Sequence, residues 1–363
     1  MGTSVASDLS IREMKKKITI ILALSVLFTL TCFTVFLLHS KDTSLVFPSL
    51  PQQVVKGSRS VFGKMMDHIR VKKIPGVSRE TAATSAQPAP PLDPCPDSPP
   101  SLVGPVLVEF ETIRSLQWVR NQLGSVLQQG GRYKPPDCTA RQKVAVIIPF
   151  RNRYEHLTHW LYYLHPVLMR QQLDYGVYVI NQDGDGAFNR AKLMNIGFVE
   201  ALKEYDYDCF VFSDVDLVPI DDRNLYRCSD HPRHLSVAID KFNYILSSVT
   251  AFGGVSLLTE EQFLKVNGFS NTFWGWGGED DDLYNRIIVR GMSITRPDAG
   301  IAKYKMIKHG RDLHNEVNPE NAVKTQKTAQ NIETDGLNSL NFTVKEILKD
   351  VLFTLISVDV QAP

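Results

Sequence analysis

Four consecutive acids, Glu279-Asp280-Asp281-Asp282, follow Phe273-Trp274-Gly275-Trp276-Gly277-Gly278 and lead into the apolar Leu283, Ile287, Ile288 and Val289. Acids in the first turn of a helix offset its dipole and satisfy free N–H groups, which accounts for some of them. Four crowded negative charges beside Trp and Gly also cost repulsion. Desolvation and like charge raise a carboxylate's pKa toward that of a general base. At least one of the four is therefore expected to act on a substrate. The glycines around Trp276 leave a bulky aromatic on a backbone free to adopt positive φ, as a closing flap requires.

A second constellation pairs carboxylates with arginines. Ser213-Asp214-Val215-Asp216 follows one apolar run, and Phe150-Arg151-Asn152-Arg153 follows another. Arginine forks suit bidentate phosphate recognition, and a carboxylate at a strand end commonly holds a phosphate-bound Mg²⁺ or Mn²⁺. This spacing predicts a charged ligand held by guanidinium groups and a divalent cation. Met306 and His309 lie three apart, close enough to share an ion on an extended segment. Spacing alone supports that pair weakly, since thioethers rarely serve hard cations. Asn181-x-Asp183-x-Asp185-Gly186 opens like a calcium loop, but Lys192 stands where the bidentate Glu belongs, so it reads as a polar turn.

The elements that position these residues alternate. Val144–Ile148, closed by Pro149, Val177–Ile180 and Cys209–Phe212 read as buried strands. Glu155–Gln172, interrupted at Pro166, and Asn189–Glu204 read as helices. A β-α-β-α-β order with continuously apolar strands implies an α/β fold, a parallel sheet covered on both faces. Such sheets bind ligands beyond the carboxyl ends of their strands, where the arginines and the Asp-x-Asp fall.

The chain has 363 residues, 43% of them hydrophobic, and a formal net charge of +1, which argues against nucleic acid as a partner. Ile18–Leu38 is uncharged and, at 1.5 Å per residue, spans about 30 Å, the thickness of a bilayer core. Arg12, Lys15, Lys16 and Lys17 precede it, so the positive-inside rule predicts an uncleaved signal-anchor. That gives a cytosolic tail (1–17), an anchor (18–38), a luminal stem (39–101) and a globular part (102–363). Seven of the thirteen residues from Pro88 to Pro100 are proline, as in an extended spacer. In an oxidising lumen Cys95, Cys138, Cys209 and Cys228 should pair. Three pairings are open, of which Cys95–Cys138 and Cys209–Cys228 are the local ones. Asn341-Phe342-Thr343 is a glycosylation sequon.

Several of these stretches resemble the β-1,4-galactosyltransferase family over roughly residues 102–358. They are Phe150–Arg153, Phe188-Asn189-Arg190-Ala191-Lys192, Phe212–Asp216, Phe252-Gly253-Gly254-Val255-Ser256, Trp276–Asp282 and Met306-x-x-His309. The resemblance implies a type II Golgi membrane enzyme with a GT-A, Rossmann-like nucleotide-sugar-binding sheet. Such an enzyme moves galactose from UDP-galactose to the 4-hydroxyl of a terminal GlcNAc with inversion. It implies Asp216, Met306 and His309 as Mn²⁺ ligands. Phe150, Arg151, Arg153, Phe188, Arg190, Asp214 and Gly254 would frame the donor. Asp280 would be the base, Glu279 and Asp281 would orient donor and acceptor, and Trp276 would swing over the donor. The family's two disulfides correspond to the local pairing.

The sequence departs from the family at two places. Ala251 stands where the galactose-specific enzymes carry Tyr before Phe-Gly-Gly, a position that crowds the donor's C2 substituent, so the resemblance also implies use of UDP-GalNAc. Asn321-Ala322 and Thr325 replace an Arg-Phe pair and an Ile around the acceptor's N-acetyl group, which leaves the acceptor and any lactalbumin-type modifier open. Two other classes compete. A luminal metal-dependent phosphodiesterase would use Asp214, Asp216, Arg151 and Arg153 but leaves the Trp276–Asp282 stretch without a task. A non-catalytic carbohydrate-binding protein would not need Asp280.

Overall fold

The computed structural model describes residues 92–362, so the expected tail, anchor and most of the stem lie outside the described residues. Among those described, no helix is long and apolar enough to cross a membrane. Cys95–Cys138 and Cys209–Cys228 are both bridged, the local pairing. The first bridge ties the segment from Leu92 onward to the loop that enters the sheet.

Among the described residues the first helix is α1 (Leu116–Leu123), capped by the Ser115 hydroxyl. Then come β1 (Lys143–Phe150), α2 (Tyr154–Arg170), β2 (Asp174–Gln182), α3 (Arg190–Glu204) and β3 (Cys209–Ser213). Successive β1 side chains point to opposite faces. Val144, Val146 and Ile148 join Trp160, Leu161, Leu164 and Leu168 of α2 on one side. Ala145 and Ile147 join Leu193, Met194 and Ile196 of α3 on the other. This two-faced burial is why the strands read as unbroken apolar runs.

Both prolines are accommodated rather than terminating. β1 runs through Pro149 to Phe150, opposite Ile180 and Asn181 of β2. Its ladder to β3 stops at Ile147, so Pro149 has only one neighbour left to pair with. Helix α2 continues through Pro166, with Leu157, Trp160, Leu161, Leu164, Val167 and Leu168 buried around it. Burial of each is worth roughly 1.5–3 kcal/mol, against about 3 kcal/mol for a proline within a helix.

Beyond β3 lie the short strands β4 (Leu217–Pro219), β5 (Arg233–His234) and β6 (Ala238–Ile239), then β7 (Val255–Thr259) and α4 (Glu260–Lys265). They are followed by α5 (Glu279–Val289), β8 (Lys303–Met306), α6 (Glu320–Thr325), α7 (Thr328–Asn331), β9 (Thr343–Lys349) and β10 (Thr354–Asp359). Among the described residues the main sheet has the order β5-β7-β3-β1-β2-β10-β9. The central β3, β1 and β2 are parallel, as the sequence predicts, and β10, which the sequence reading did not locate, adds a fourth parallel strand beside β2. The flanking pairings are not: β7 is antiparallel to β3 and to β5, and β9 is antiparallel to β10, which makes the sheet mixed. The turn from β9 to β10 is too short for a crossover, so that pair can only be antiparallel. A second sheet, β4-β8-β6, stands beyond the end of β3.

The buried His165 makes stability depend on pH. Its Nδ1 lies 2.8 Å from the Tyr175 hydroxyl and its Nε2 2.8 Å from the Leu352 carbonyl, an arrangement that suits the neutral ring. Burial pushes its pKa down to about 4. An unfolded chain takes up this proton near pH 6.5, so stability present above that pH is lost as pH falls toward 4. The loss is on the order of 3 kcal/mol for this one group. Urea melts at pH 7 and pH 4.5 should show the loss, and His165→Gln should flatten it. Equal pH slopes in the two proteins would exclude His165 as the source.

Candidate active site

Each strand of the parallel core delivers its expected residues to one end of the sheet. Arg151 and Arg153 leave β1, the latter as the residue before α2. Asn189 caps α3 through its side chain and places Arg190 in the first turn. Asp214 and Asp216 leave β3. The chain then turns into β4, where Leu217 pairs with Met306 of β8. That ladder brings together residues ninety positions apart: Ile307 N–H donates to the Asp216 carbonyl at 2.8 Å, and His309 Nε2 stands 2.8 Å from Asp216 Oδ2.

A cavity of about 280 Å³ opens there, lined among others by Arg151, Arg153, Phe188, Arg190, Asp214 and Asp216. Trp276, Met306 and His309 complete its expected members. Among the described residues no three His, Cys, Asp or Glu could hold a metal together. The third donor in this cavity is the Met306 thioether. The carboxylate and imidazole are ordinary donors for Mn²⁺, which takes a nitrogen ligand more readily than Mg²⁺ does, and the thioether is an unusually soft third donor for so hard an ion. His309 Nδ1 lies 2.6 Å from the Gly310 carbonyl. Arg153 Nη2 stands 2.9 Å from the same Nδ1, so that nitrogen is engaged on the loop side, and Nε2 is the one that faces Asp216, where the residues present fit a cation. The hydrogen bond that His309 donates to the Asp216 carboxylate raises the His309 pKa.

The arginines are shared between the cavity and the loops around it. Arg151 donates to the carbonyls of Gly186 at 2.6 Å and Leu313 at 3.2 Å, and its guanidinium lies 5.0 Å from the Phe188 ring. It fastens two loops as much as it faces a ligand. Arg153 pairs with Asp312 at 2.5 Å. Arg190 bridges Asp214 at 2.7 Å and Glu279 at 3.3 Å. Phe150 is fully buried against Tyr154, so only its backbone is placed to meet a ligand. Gly254 contributes through its carbonyl, which accepts from Asp214 N–H at 2.9 Å.

The four acids divide by role. Asp282 is structural: it is buried, pairs with the buried Arg286 at 2.6 Å and accepts from Thr328 at 2.6 Å. Glu279 joins the cavity through Arg190, and its Oε2 is buried without a hydrogen-bond partner. Burial, then the charge of Asp280, raises the Glu279 pKa to about 7 against the pull of Arg190. Asp281 lines an adjoining cavity of about 440 Å³ with Trp276, Asn321, Ala322 and Thr325. Asp280 packs against Gly253, where a Cβ would collide with its carboxylate. Gly253→Ala should therefore displace Asp280 and, if Asp280 is the base that the resemblance implies, lower turnover by about 10–100-fold, since small misplacements of a reacting group are costly. Calorimetric binding of an anionic ligand at Arg153 and Arg190 should stay unchanged. An undiminished rate would show that Asp280 has room to move.

Trp276 is half exposed and borders both cavities. Gly275 and Gly277 beside it have φ of 72° and 102°, the freedom expected of a flap. The Arg311 guanidinium lies 4.8 Å from its ring, and Asn321 donates to the Gly277 carbonyl at 2.7 Å. Sequence reasoning did not single out Lys241, His156, Arg311 or Asp312, all of which line the first cavity. Arg311 and Asp312 adjoin His309 in sequence, a signal that was available. Lys241 arrives through the β6–β8 pairing and carries no local mark.

A mixed sheet with Asp-x-Asp and arginines at one end of its parallel strands defines a GT-A-like glycosyltransferase. Residues 95–229 match the model for the N-terminal region of glycosyl transferase group 7, and residues 233–310 match a domain of galactosyltransferase. The chain is 56% identical to beta-1,4-galactosyltransferase 2 of Cricetulus griseus over 79% of its length and 78% of that protein. It is 57% identical to beta-1,4-galactosyltransferase 1 of Homo sapiens, over 75% of this chain and 68% of that one. The catalytic domain of Drosophila beta1,4galactosyltransferase 7, solved with xylobiose, superposes with a TM-score of 0.54 at 27% identity. That match covers 61% of this chain and 95% of the other. A mutant of that enzyme was solved with manganese, UDP-Gal and xylobiose, and its TM-score is 0.53 at the same identity and coverage. The chain belongs to the β-1,4-galactosyltransferase family.

Proposed function

We propose that this chain is an inverting, Mn²⁺-dependent enzyme of the Golgi lumen that moves galactose from UDP-galactose to the 4-hydroxyl of terminal GlcNAc. The observation that carries this reading is the meeting of Asp216, Met306 and His309 with Arg153 and Arg190 in one cavity that Trp276 shares with a second, Asp281-lined cavity. Relatives bearing the galactosyltransferase name, and a neighbour holding manganese and UDP-Gal, support the donor and the ion.

Asp216, Met306 and His309 would hold Mn²⁺, which when bound neutralises, as a Lewis acid, the charge that builds on the departing diphosphate. Arg153 and Arg190, held in place by Asp312, Asp214 and Glu279, add fixed positive charge at the same end of the sheet. Asp280 takes the proton of the acceptor hydroxyl as its oxygen attacks the anomeric carbon from the face opposite UDP. Trp276, moving over the donor, excludes the water that would otherwise hydrolyse it. Glu279, with one buried oxygen unpartnered, would orient the donor sugar, and Asp281 the acceptor.

Ala251 favours a second donor. Where the family places Tyr, this small residue stands two positions before the Gly253 that contacts Asp280, so the volume of an aromatic ring is freed near the base. UDP-GalNAc is expected to react as well. The test is a transfer assay of residues 92–363 on a GlcNAc acceptor with both donors, with and without Mn²⁺. Mn²⁺-dependent transfer of either sugar supports the enzyme, and inactivity with both sinks it. Inert UDP-GalNAc beside reactive UDP-galactose removes the second donor alone.

A further inference from the structure

Asn341-Phe342-Thr343 is the one Asn-x-Ser/Thr triplet in the sequence, and nothing in the proposed chemistry uses it. It enters β9, the outermost strand beside β10. Extended backbone alternates its side chains. Here Phe342 turns inward to the cluster around α3, 6.0 Å from the Lys203 ammonium, while Asn341 and Thr343 are exposed. The acceptor amide and the hydroxyl that must be recognised with it thus share the open side.

Among the described residues nothing blocks a large, solvated modification there. β9 pairs on one side only, and its exposed Lys345, Glu346 and Lys349 already favour water over another strand. Among the described residues the Thr343 hydroxyl hydrogen-bonds only with the exposed Gln361, accepting from its Nε2 at 3.1 Å. The two disulfides fit an oxidising lumen, where such modification takes place. Asn341 lies at the same end of the sheet as the cavity, since Thr343 pairs with Asp359 beyond the point where Val358 pairs with Gln182. Three strand spacings, about 14 Å, separate β9 from β1. Asn341 is therefore attached beside the site, at the entry to a different strand from those that carry the site's residues.

We infer that Asn341 carries an N-linked glycan on the open edge of the main sheet. The inference rests on the luminal placement proposed above, and one experiment separates the two. The full chain is expressed in animal cells, microsomes are treated with protease to read topology, and the protein is treated with peptide N-glycosidase. The wild type should be protected and shift by one mobility step. Asn341→Gln and Thr343→Ala should run at the shifted position before treatment, whereas Thr343→Ser, which keeps the triplet, should behave as wild type. Transfer activity should be the same in all four proteins. A protected chain with no shift, or a shift that survives in Asn341→Gln, overturns the inference and leaves the luminal reading intact. A protease-accessible chain overturns both.

Discussion

Asp280→Asn is expected to lower turnover by roughly 10²–10⁴, the usual value of a positioned general base. The substitution is nearly isosteric, so contact with Gly253 is kept, and the remaining carbonyl oxygen can still accept from Asp281 N–H as Asp280 Oδ1 does at 3.1 Å. Asp280 makes no hydrogen bond in the Arg190 bridge to Asp214 and Glu279, and loss of its charge lowers the Glu279 pKa, which favours the ion pair and keeps the donor end of the site in place. Single-turnover transfer should collapse, while calorimetric binding of UDP with Mn²⁺ stays within about twofold, since no donor contact is removed. A rate near that of the wild type would return the protein to the class of carbohydrate binders. Parallel loss of nucleotide binding would instead mean that the residue builds the cavity rather than acting in it.

Removing the charge at Asp216 should have a comparably large effect by a different route. Altering the outer partners of a metal ligand typically costs 10–100-fold in affinity, so Asp216→Asn, which changes the ligand itself, should weaken Mn²⁺ binding more than about 100-fold. It also loosens His309, whose Nε2 stands 2.8 Å from the lost carboxylate oxygen. Activity at low Mn²⁺ should vanish and recover in part at high Mn²⁺, the mark of a binding defect. Asp185→Asn, in the exposed turn that imitates a calcium loop, is the control and should leave the Mn²⁺ dependence unchanged. If both variants titrate alike with Mn²⁺, the ion is held elsewhere.

The fold was legible where it is governed by local periodicity. Unbroken apolar runs located β1, β2 and β3, and the rule that ligands meet the carboxyl ends of parallel strands pointed to Arg151, Arg153, Asp214 and Asp216. Pro149 and Pro166 misled the reading of element ends. A proline's local cost is fixed, but whether it ends an element depends on how much neighbouring surface is buried, and that is a property of the whole packing. The antiparallel flanks escaped for the same reason: strand direction is set by partners, not by the strand's own residues. Asp282 and Arg286, four apart on one helix, were readable as an ion pair and account for one of the four acids.

The sequence by itself determined which residue types stand at the ends of the strands and around the flap, because those follow from short-range spacing. It also carried the family's order of motifs. Only the tertiary structure decided which of them meet. The β4–β8 ladder sets Asp216 beside Met306 and His309, and Arg190 draws Glu279 toward Asp214. Gly253 leaves the space that Asp280 fills. Each contact joins residues distant in the chain, and the order that brings them together comes from burying two faces of a common sheet, a cooperative effect that no local stretch encodes.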